Sequence, residues 1–314
     1  MLIKNRMFSA AVALSFFCSI AFPFSGYAVN ATSAETVSPH TPVSNKGRTV
    51  HPVKQDKDMV KQRFGAYTKG HRGTQERIYL DAPANEAKPQ RDAHTESVIG
   101  SDNRTRVTDT ASYPYSAIVH IVSDIGGCTG WLIGPDTVAT AGHCIYDPNN
   151  NKWASSATVY PGRDGDSLPY GSANGVEFFS VSGWVQNGDS NYDYGAIKLD
   201  KHIGDATGWF GYRYQSGSLN GTAENISGYP GDKTYGTQWQ HADQIRETQT
   251  YKLLYANDTY GGQSGSPVYQ NSYSGCGTCA LAIHTNGVYG GSSYNRGTRI
   301  TKEVFNNLNT WKAQ

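Results

Sequence analysis

Short apolar runs rich in β-branched residues, each ended by a turn signal, recur along most of this chain, and convincing helical spacing appears in one place. Residues 116–122 (SAIVHIV), 129–133 (TGWLI), 194–199 (YGAIKL), 225–227 (NIS) and 281–283 (LAI) have the length and composition of strands. Turn formers stand between them: Gly134-Pro135-Asp136, Pro148-Asn149-Asn150 and residues 229–232 (YPGD). A chain interrupted at such intervals buries its apolar surface by pairing strands. Its composition agrees, with 35 Gly, 21 Tyr and only 17 % charged residues. The exception is the C-terminus. There Ile300, Val304, Leu308 and Trp311 fall on one helical face, and Thr301 can cap the start. The expected fold class is all-β with a C-terminal helix. No internal repeat of fixed period is visible.

Three stretches differ in composition. Lys4 and Arg6 precede an apolar run over residues 7–24, and Gly26, Tyr27 and Ala28 follow it, so residues 1–28 read as a signal peptide. The run is long enough to span a bilayer. Pro23 and the small residues after it favour cleavage instead, and the residues before Cys18 (SFF) form no lipobox. No later segment is apolar enough to span a membrane. Residues 29–96 are rich in Lys, Arg, Pro, Asn and Thr, poor in aromatics and free of Cys. Such a stretch buries little apolar surface and is expected to be disordered, or only marginally folded, alone. From Ser97 the character changes: all three Met residues precede it and all six Trp follow it. Residues 97–314 suffice for one substantial core or two small β-barrels sharing one.

The formal net charge is +1, so no strong pull toward nucleic acid or a membrane surface is implied. Of five cysteines, Cys18 falls in the expected leader. The other four, Cys128, Cys144, Cys276 and Cys279, allow three pairings. Nearness in sequence favours Cys128–Cys144 and Cys276–Cys279 in a secreted chain. The alternative for Cys276-Gly277-Thr278-Cys279 is a redox or zinc motif. No second pair or His stands at zinc spacing and no βαβ pattern surrounds it, which argues against both.

Three segments carry chemistry, in the order His, Asp, Ser: residues 140–144 (TAGHC), 191–197 (NYDYGAI) and 260–267 (YGGQSGSP). A serine hydroxyl is a poor nucleophile until a base takes its proton. A histidine near its ordinary pKa does this, and a buried carboxylate holds its tautomer and stabilises the imidazolium. His143, Asp193 and Ser264 are the candidates for these roles. The glycines beside Ser264 permit the tight turn that aims the backbone N–H groups of Gly262 and Ser264 at a developing oxyanion. Taken singly, each segment has a bland reading: a structural His beside a Cys, a solvated Asp, a plain Gly-rich turn. Their conjunction in this order makes the catalytic reading specific.

These segments resemble the chymotrypsin-like serine proteases, and more closely the glutamyl endopeptidases secreted by Gram-positive bacteria. The likeness runs from about Ser97 to the C-terminus, through residues 97–100 (SVIG), 139–144 (ATAGHC), 227–233 (SGYPGDK), 261–267 (GGQSGSP) and Ile283-His284. It implies two packed six-stranded antiparallel β-barrels with the triad in the cleft between them. It also implies a pro-segment, residues 29–96, removed from a mature domain of residues 97–314. In that family a substrate Glu carboxylate is held by a His, a hydroxyl and the freed N-terminal amine. The matching positions here are His284, Thr259 and Ser97, and Glu96 would make the junction a bond the enzyme could itself cut. A buried carboxylate stays charged only if paired or hydrogen-bonded, and this donor set provides that.

Asp258 points the other way. It lies six positions before Ser264, where trypsin-like enzymes hold the carboxylate that binds Lys or Arg, and a charged Asp in the pocket would repel Glu. The rival function is therefore a secreted protease cutting after Lys or Arg, with Lys88 and Arg91 of the pro-segment compatible with it. A third reading, a catalytically dead binding protein of the same fold, is opposed by the complete triad; organophosphonate labelling of Ser264 would exclude it. His120 is expected to be packed or half exposed in a strand, and His202 and His241 to lie on the surface. No metal site is expected from them. Ca2+ at an Asp-rich turn such as Asp164-Gly165-Asp166 is a family possibility without support in spacing. The expected partners are protein or peptide substrates and the chain's own pro-segment, with no nucleic acid and no membrane. A secreted monomer needing no cofactor is expected.

Overall fold

The structure is a computed structural model that describes residues 37–51, 59–83, 86, 88, 97–289 and 291–314. The expected signal peptide and Glu96 of the expected junction lie outside the described residues. Twelve strands form two closed antiparallel barrels. In the first, β1 (Ile118–Ser123), β2 (Gly126–Leu132), β3 (Thr137–Thr140), β4 (Ala157–Pro161), β5 (Ala173–Val181) and β6 (Gly195–Leu199) close in the order β5-β4-β1-β2-β3-β6. The second contains β7 (Ala223–Gly228), β8 (Trp239–Thr248), β9 (Lys252–Tyr255), β10 (Pro267–Tyr273), β11 (Gly277–Asn286) and β12 (Asn295–Arg299). Its ring order, β11-β10-β7-β8-β9-β12, repeats that of the first barrel. The duplication lives in topology, and no sequence repeat betrays it. Closure removes the unpaired edges that an open sheet would expose.

The described buried apolar side chains fall into two main clusters. Ile121, Val138, Phe178 and Ile197 share one face of the first barrel's strands, while Trp131 and Phe179 on the other face pack on Phe210 and on Trp311; Ile226, Ile245, Leu253, Val268 and Leu281 form the core of the second. The five runs expected to be strands fall on β1, β2, β6, β7 and β11. The strands not foreseen include β8, whose residues are half-buried or exposed apart from the fully buried Ile245, so it offers no apolar alternation to read. The C-terminal helix (Lys302–Lys312) forms as expected. Thr301 accepts from the Val304 N–H, and Ile300, Val304, Leu308 and Trp311 are buried. Among the described residues, no helix is long and apolar enough to cross a membrane.

The described parts of the polar stretch before Ser97 add strands to the protease sheets. Pro42–Ser44 pairs with the far end of β5, Pro42 opposite Val181. A hairpin of Met59–Gln62 and Gly65–Thr68 continues the second sheet through Gly211–Gln215, a strand that runs parallel to β11. Leu80–Asp81 pairs with Ser167–Leu168. Arg48 forks onto buried Glu177, with Nε–Oε1 at 2.6 Å and Nη2–Oε2 at 2.9 Å. Backbone pairing and ion pairs thus order a segment too polar to supply a core of its own. The two disulfides are Cys128–Cys144 and Cys276–Cys279.

Candidate active site

Strand register brings the first two candidates together. β3 and β6 are antiparallel, with Thr140 opposite Gly195, so the residues after β3 lie beside those before β6. His143 sits in a short turn, Gly142–Cys144, directly after β3. Asp193 ends another turn, Ser190–Tyr192, started by the Asp189 side chain accepting from the Asn191 N–H at 2.9 Å. Asp193 Oδ2 lies 2.8 Å from His143 Nδ1, and its Oδ1 accepts the His143 backbone N–H at 3.0 Å. Both side chains are almost fully buried, at 2 % and 1 % exposure. Burial pushes the Asp193 carboxyl up, but His143, the Lys252 charge and the backbone N–H outweigh it and hold it below its ordinary value.

Ser264 comes from the second barrel, in the loop before β10. Its carbonyl accepts the Thr129 N–H of β2 at 2.8 Å and lies 3.6 Å from Cys144 Sγ, the residue after His143. The next residue, Gly265 (φ +88°), is pressed so close that a Cβ would overlap Thr129 O and Thr140 Oγ1. Gly262 has φ +102°, and a Cβ there would stand 2.6 Å from Tyr229 O. Only glycine fits these two positions, which explains the glycines flanking Gln263-Ser264. Thr129 Oγ1 ties the arrangement together, donating to Gly262 O at 2.8 Å and accepting from Tyr229 N at 2.9 Å. Arg104 braces the same loop from the opposite side, donating to Gln263 Oε1 at 3.4 Å and to both Asp102 and Asp232.

The three residues expected to bind substrate are all seated near this loop. His284 on β11 is fully buried, its N–H donates to Ser266 O (2.9 Å), and its carbonyl accepts from Gly265 N (2.7 Å). Tyr255 Oη stands 2.6 Å from His284 Nδ1. Thr259 is fully buried, and its hydroxyl has no hydrogen-bond partner among the described residues. The Ser97 carbonyl accepts from the Thr259 N–H (3.2 Å) and Asn295 Nδ2 (2.6 Å), and its Oγ from the Val288 N–H (3.1 Å).

Asp258 is committed elsewhere. Its Oδ1 accepts the Ile99 N–H at 2.7 Å and its Oδ2 the Asn103 N–H at 2.8 Å, and the residue is 1 % exposed. His241 departs from the surface position expected of it: it is half-buried against Asp258, accepting the Asp258 N–H on Nδ1 at 2.7 Å. His202 is exposed as expected. His120 is packed in β1, where burial and the neighbouring Arg163 push its pKa down to about 3.

Lys252 gave no signal in the sequence, where an isolated lysine reads as solvated. It is buried on β9, donating to Thr285 Oγ1 (3.1 Å) and Thr298 Oγ1 (3.0 Å), and Thr298 Oγ1 in turn donates to Asp193 O at 2.8 Å. Burial pulls its pKa down to about 8 against the attraction of Asp193. Among the described residues, one grouping places three metal-ligand atoms within 4.8 Å: Cys128, His143 and Cys144. Its sulfurs are bonded to each other and carry no thiolate charge, so it does not fit a metal. Asp164 of the expected Asp-rich turn is paired with Arg106 at 2.7 Å.

The family profile described as Trypsin matches residues 102–311. A glutamyl endopeptidase of Bacillus licheniformis is 57 % identical over 88 % of this chain and 89 % of its own length. A protein of Bacillus subtilis (strain 168) named extracellular metalloprotease is 46 % identical over 92 % of this chain and 91 % of its own. Among solved structures, a Glu endopeptidase in complex with MPD superposes with a TM-score of 0.64 at 34 % identity, covering 69 % of this chain and all of that one.

Proposed function

Because this chain belongs to the trypsin family of chymotrypsin-like serine proteases and is a serine endopeptidase, we propose that it is secreted as a precursor and cuts peptide bonds after Glu, and more slowly after Asp. His143, Asp193 and Ser264 act as the triad. His143 takes the Ser264 proton as Oγ attacks the scissile carbonyl carbon, and Asp193 holds Nδ1–H. The oxyanion is met by the N–H groups of Gly262 and Ser264. His143 then hands its proton to the leaving amine, and water repeats the sequence on the acyl-enzyme.

The observation that carries the Glu reading is the commitment of Asp258 to Ile99 and Asn103, which occupies this carboxylate and turns it away from a Lys or Arg substrate. Thr259 supplies a buried hydroxyl donor. Tyr255 Oη engages His284 Nδ1, which leaves Nε2 as the ring nitrogen to serve a substrate carboxylate as a second donor. The third is the Ser97 ammonium, freed when residues 29–96 are removed. Ser97 is already held by its carbonyl and hydroxyl in the precursor, so processing adds a charge to a preorganised site rather than reshaping it.

The test is cleavage of matched peptides differing only in Glu, Asp, Gln, Lys or Phe on the acyl side of the bond. A large Glu-over-Gln preference is expected, because a pocket of charged and hydrogen-bonding donors reads charge. A Lys preference would refute the proposal and return Asp258 to the pocket.

A further inference from the structure

Arg163 lies in the loop after β4, and its side chain is fully buried. The guanidinium carbon stands 5.0 Å from the ring centre of Tyr160 and 4.8 Å from that of Tyr235. Nε donates to Gly165 O at 2.8 Å, and Gly236 leaves it room, since a Cβ there would overlap Nε. The remaining two nitrogens form a fork onto one carboxylate: Nη1–Glu86 Oε1 at 2.8 Å and Nη2–Glu86 Oε2 at 2.6 Å. His120 Nδ1 is 3.4 Å from Nη1 and, kept neutral by its burial, does not compete for the anion.

The division of these groups is informative. Arg163, Tyr160 and Tyr235 all belong to the protease part, whereas the anion, Glu86, comes from the stretch before Ser97, together with Lys88, whose Nζ lies 5.2 Å from the Tyr235 ring centre. The pocket also borders the catalytic machinery: Tyr229 Oη donates to Arg163 O at 3.4 Å, and two residues on, the Gly231 N–H donates to Gly261 O at 2.7 Å. A guanidinium anchored at Nε and held between two rings cannot swing into solvent when its partner leaves. Its planar fork matches a carboxylate in a way no neutral group does.

We propose that Arg163, Tyr160 and Tyr235 form a carboxylate-binding site on the mature protease, separate from the site that reads the residue before the cut, which Glu86 fills in the precursor and an acidic side chain of a bound peptide fills afterwards. This rests on the reading that cleavage after Glu96 frees residues 29–96. The experiment uses enzyme processed from the full precursor, its N-terminus sequenced and Ser264 blocked by an organophosphonate so that no probe is cut. Fluorescence anisotropy then measures binding of a labelled peptide of residues 81–90 (DAPANEAKPQ) and of the same peptide carrying Glu86→Gln. The Glu peptide is expected to bind roughly ten-fold or more tightly than the Gln peptide, as loss of a charge-assisted fork implies. That preference should shrink in Arg163→Lys, which keeps the charge and loses the fork, and vanish in Arg163→Gln. Equal binding of the two peptides to wild-type enzyme, or no binding of either, overturns the site, and this comparison needs no folded variant. An N-terminus upstream of Glu86 instead refutes the processing reading, so the two failures are told apart.

Discussion

Thr259→Val probes the specificity site with little change of shape, since valine replaces the hydroxyl by a methyl of similar size. In the structure this hydroxyl is buried and has no partner among the described residues. It does little for the protein's own stability, and a substrate carboxylate would be its acceptor. A hydrogen bond to a charged group contributes about 1.5–3 kcal/mol. Its loss predicts a roughly ten- to hundred-fold fall in kcat/KM on Glu substrates. A neutral Gln accepts a weaker bond, about 0.5–1.5 kcal/mol, so its kcat/KM falls less and the Glu/Gln ratio drops several-fold. Stability should move the other way. Removing an unsatisfied buried hydroxyl leaves Tm unchanged or raises it by up to about 2–4 °C, which for a domain of this size corresponds to roughly 1 kcal/mol. The assay is kcat/KM on the paired Glu and Gln peptides beside a thermal melt of the same preparation. An unchanged Glu/Gln ratio would refute the role given to Thr259. A melt lowered by several degrees would show that the hydroxyl has a structural partner.

Four further outcomes follow. Asp193→Asn sets an amide N–H2 against His143 Nδ1 and takes the counter-charge from Lys252, so kcat should fall about 10⁴-fold, with the fold retained and the melting temperature lowered. Lys252→Met removes a buried positive charge behind Asp193, near Arg296 and Asp189, that disfavours the His143 imidazolium; the acid limb of the kcat/KM profile should move to higher pH, whereas a merely structural loss would lower rates at every pH. The same lysine has a folded pKa of about 8, below its unfolded value, so the native state sheds the proton first; stability measured in urea should rise with pH from about 8 to about 10.4 in the wild type, and this rise should be absent in the variant. Replacing Cys128 and Cys144 together by Ser should cost about 3 kcal/mol, against about 2 kcal/mol for the Cys276–Cys279 pair, because the bridges span 16 and 3 residues respectively; equal urea midpoints would contradict the loop-entropy argument.

The features legible in the sequence were those whose chemistry is local. A glycine-flanked serine, a His beside a Cys and an Asp before a strand keep their meaning wherever the chain goes, and so does the Thr301 cap on the last helix. Nearness in sequence also chose the two disulfides, since short loops pair at least entropic cost. Strand β8 stayed hidden because its mostly polar side chains are half-buried or exposed on a closed barrel, and hydrophobic alternation was the signal available. His241 misled for a related reason: polar neighbours in sequence gave no hint of Asp258, which lies across the β8–β9 turn.

By itself, the sequence determined the reaction class and the all-β architecture, because residue type and short-range spacing encode nucleophile, base, turn and strand. Tertiary structure alone decided where the charges go. Asp258 meets Ile99 and Asn103 from more than 150 positions away, Lys252 stands behind Asp193, and Arg163 receives an anion from ahead of Ser97. The physical reason is that a buried charge must find its donors or counter-charge in space, and in a barrel closed by long-range pairing those partners come from distant parts of the chain.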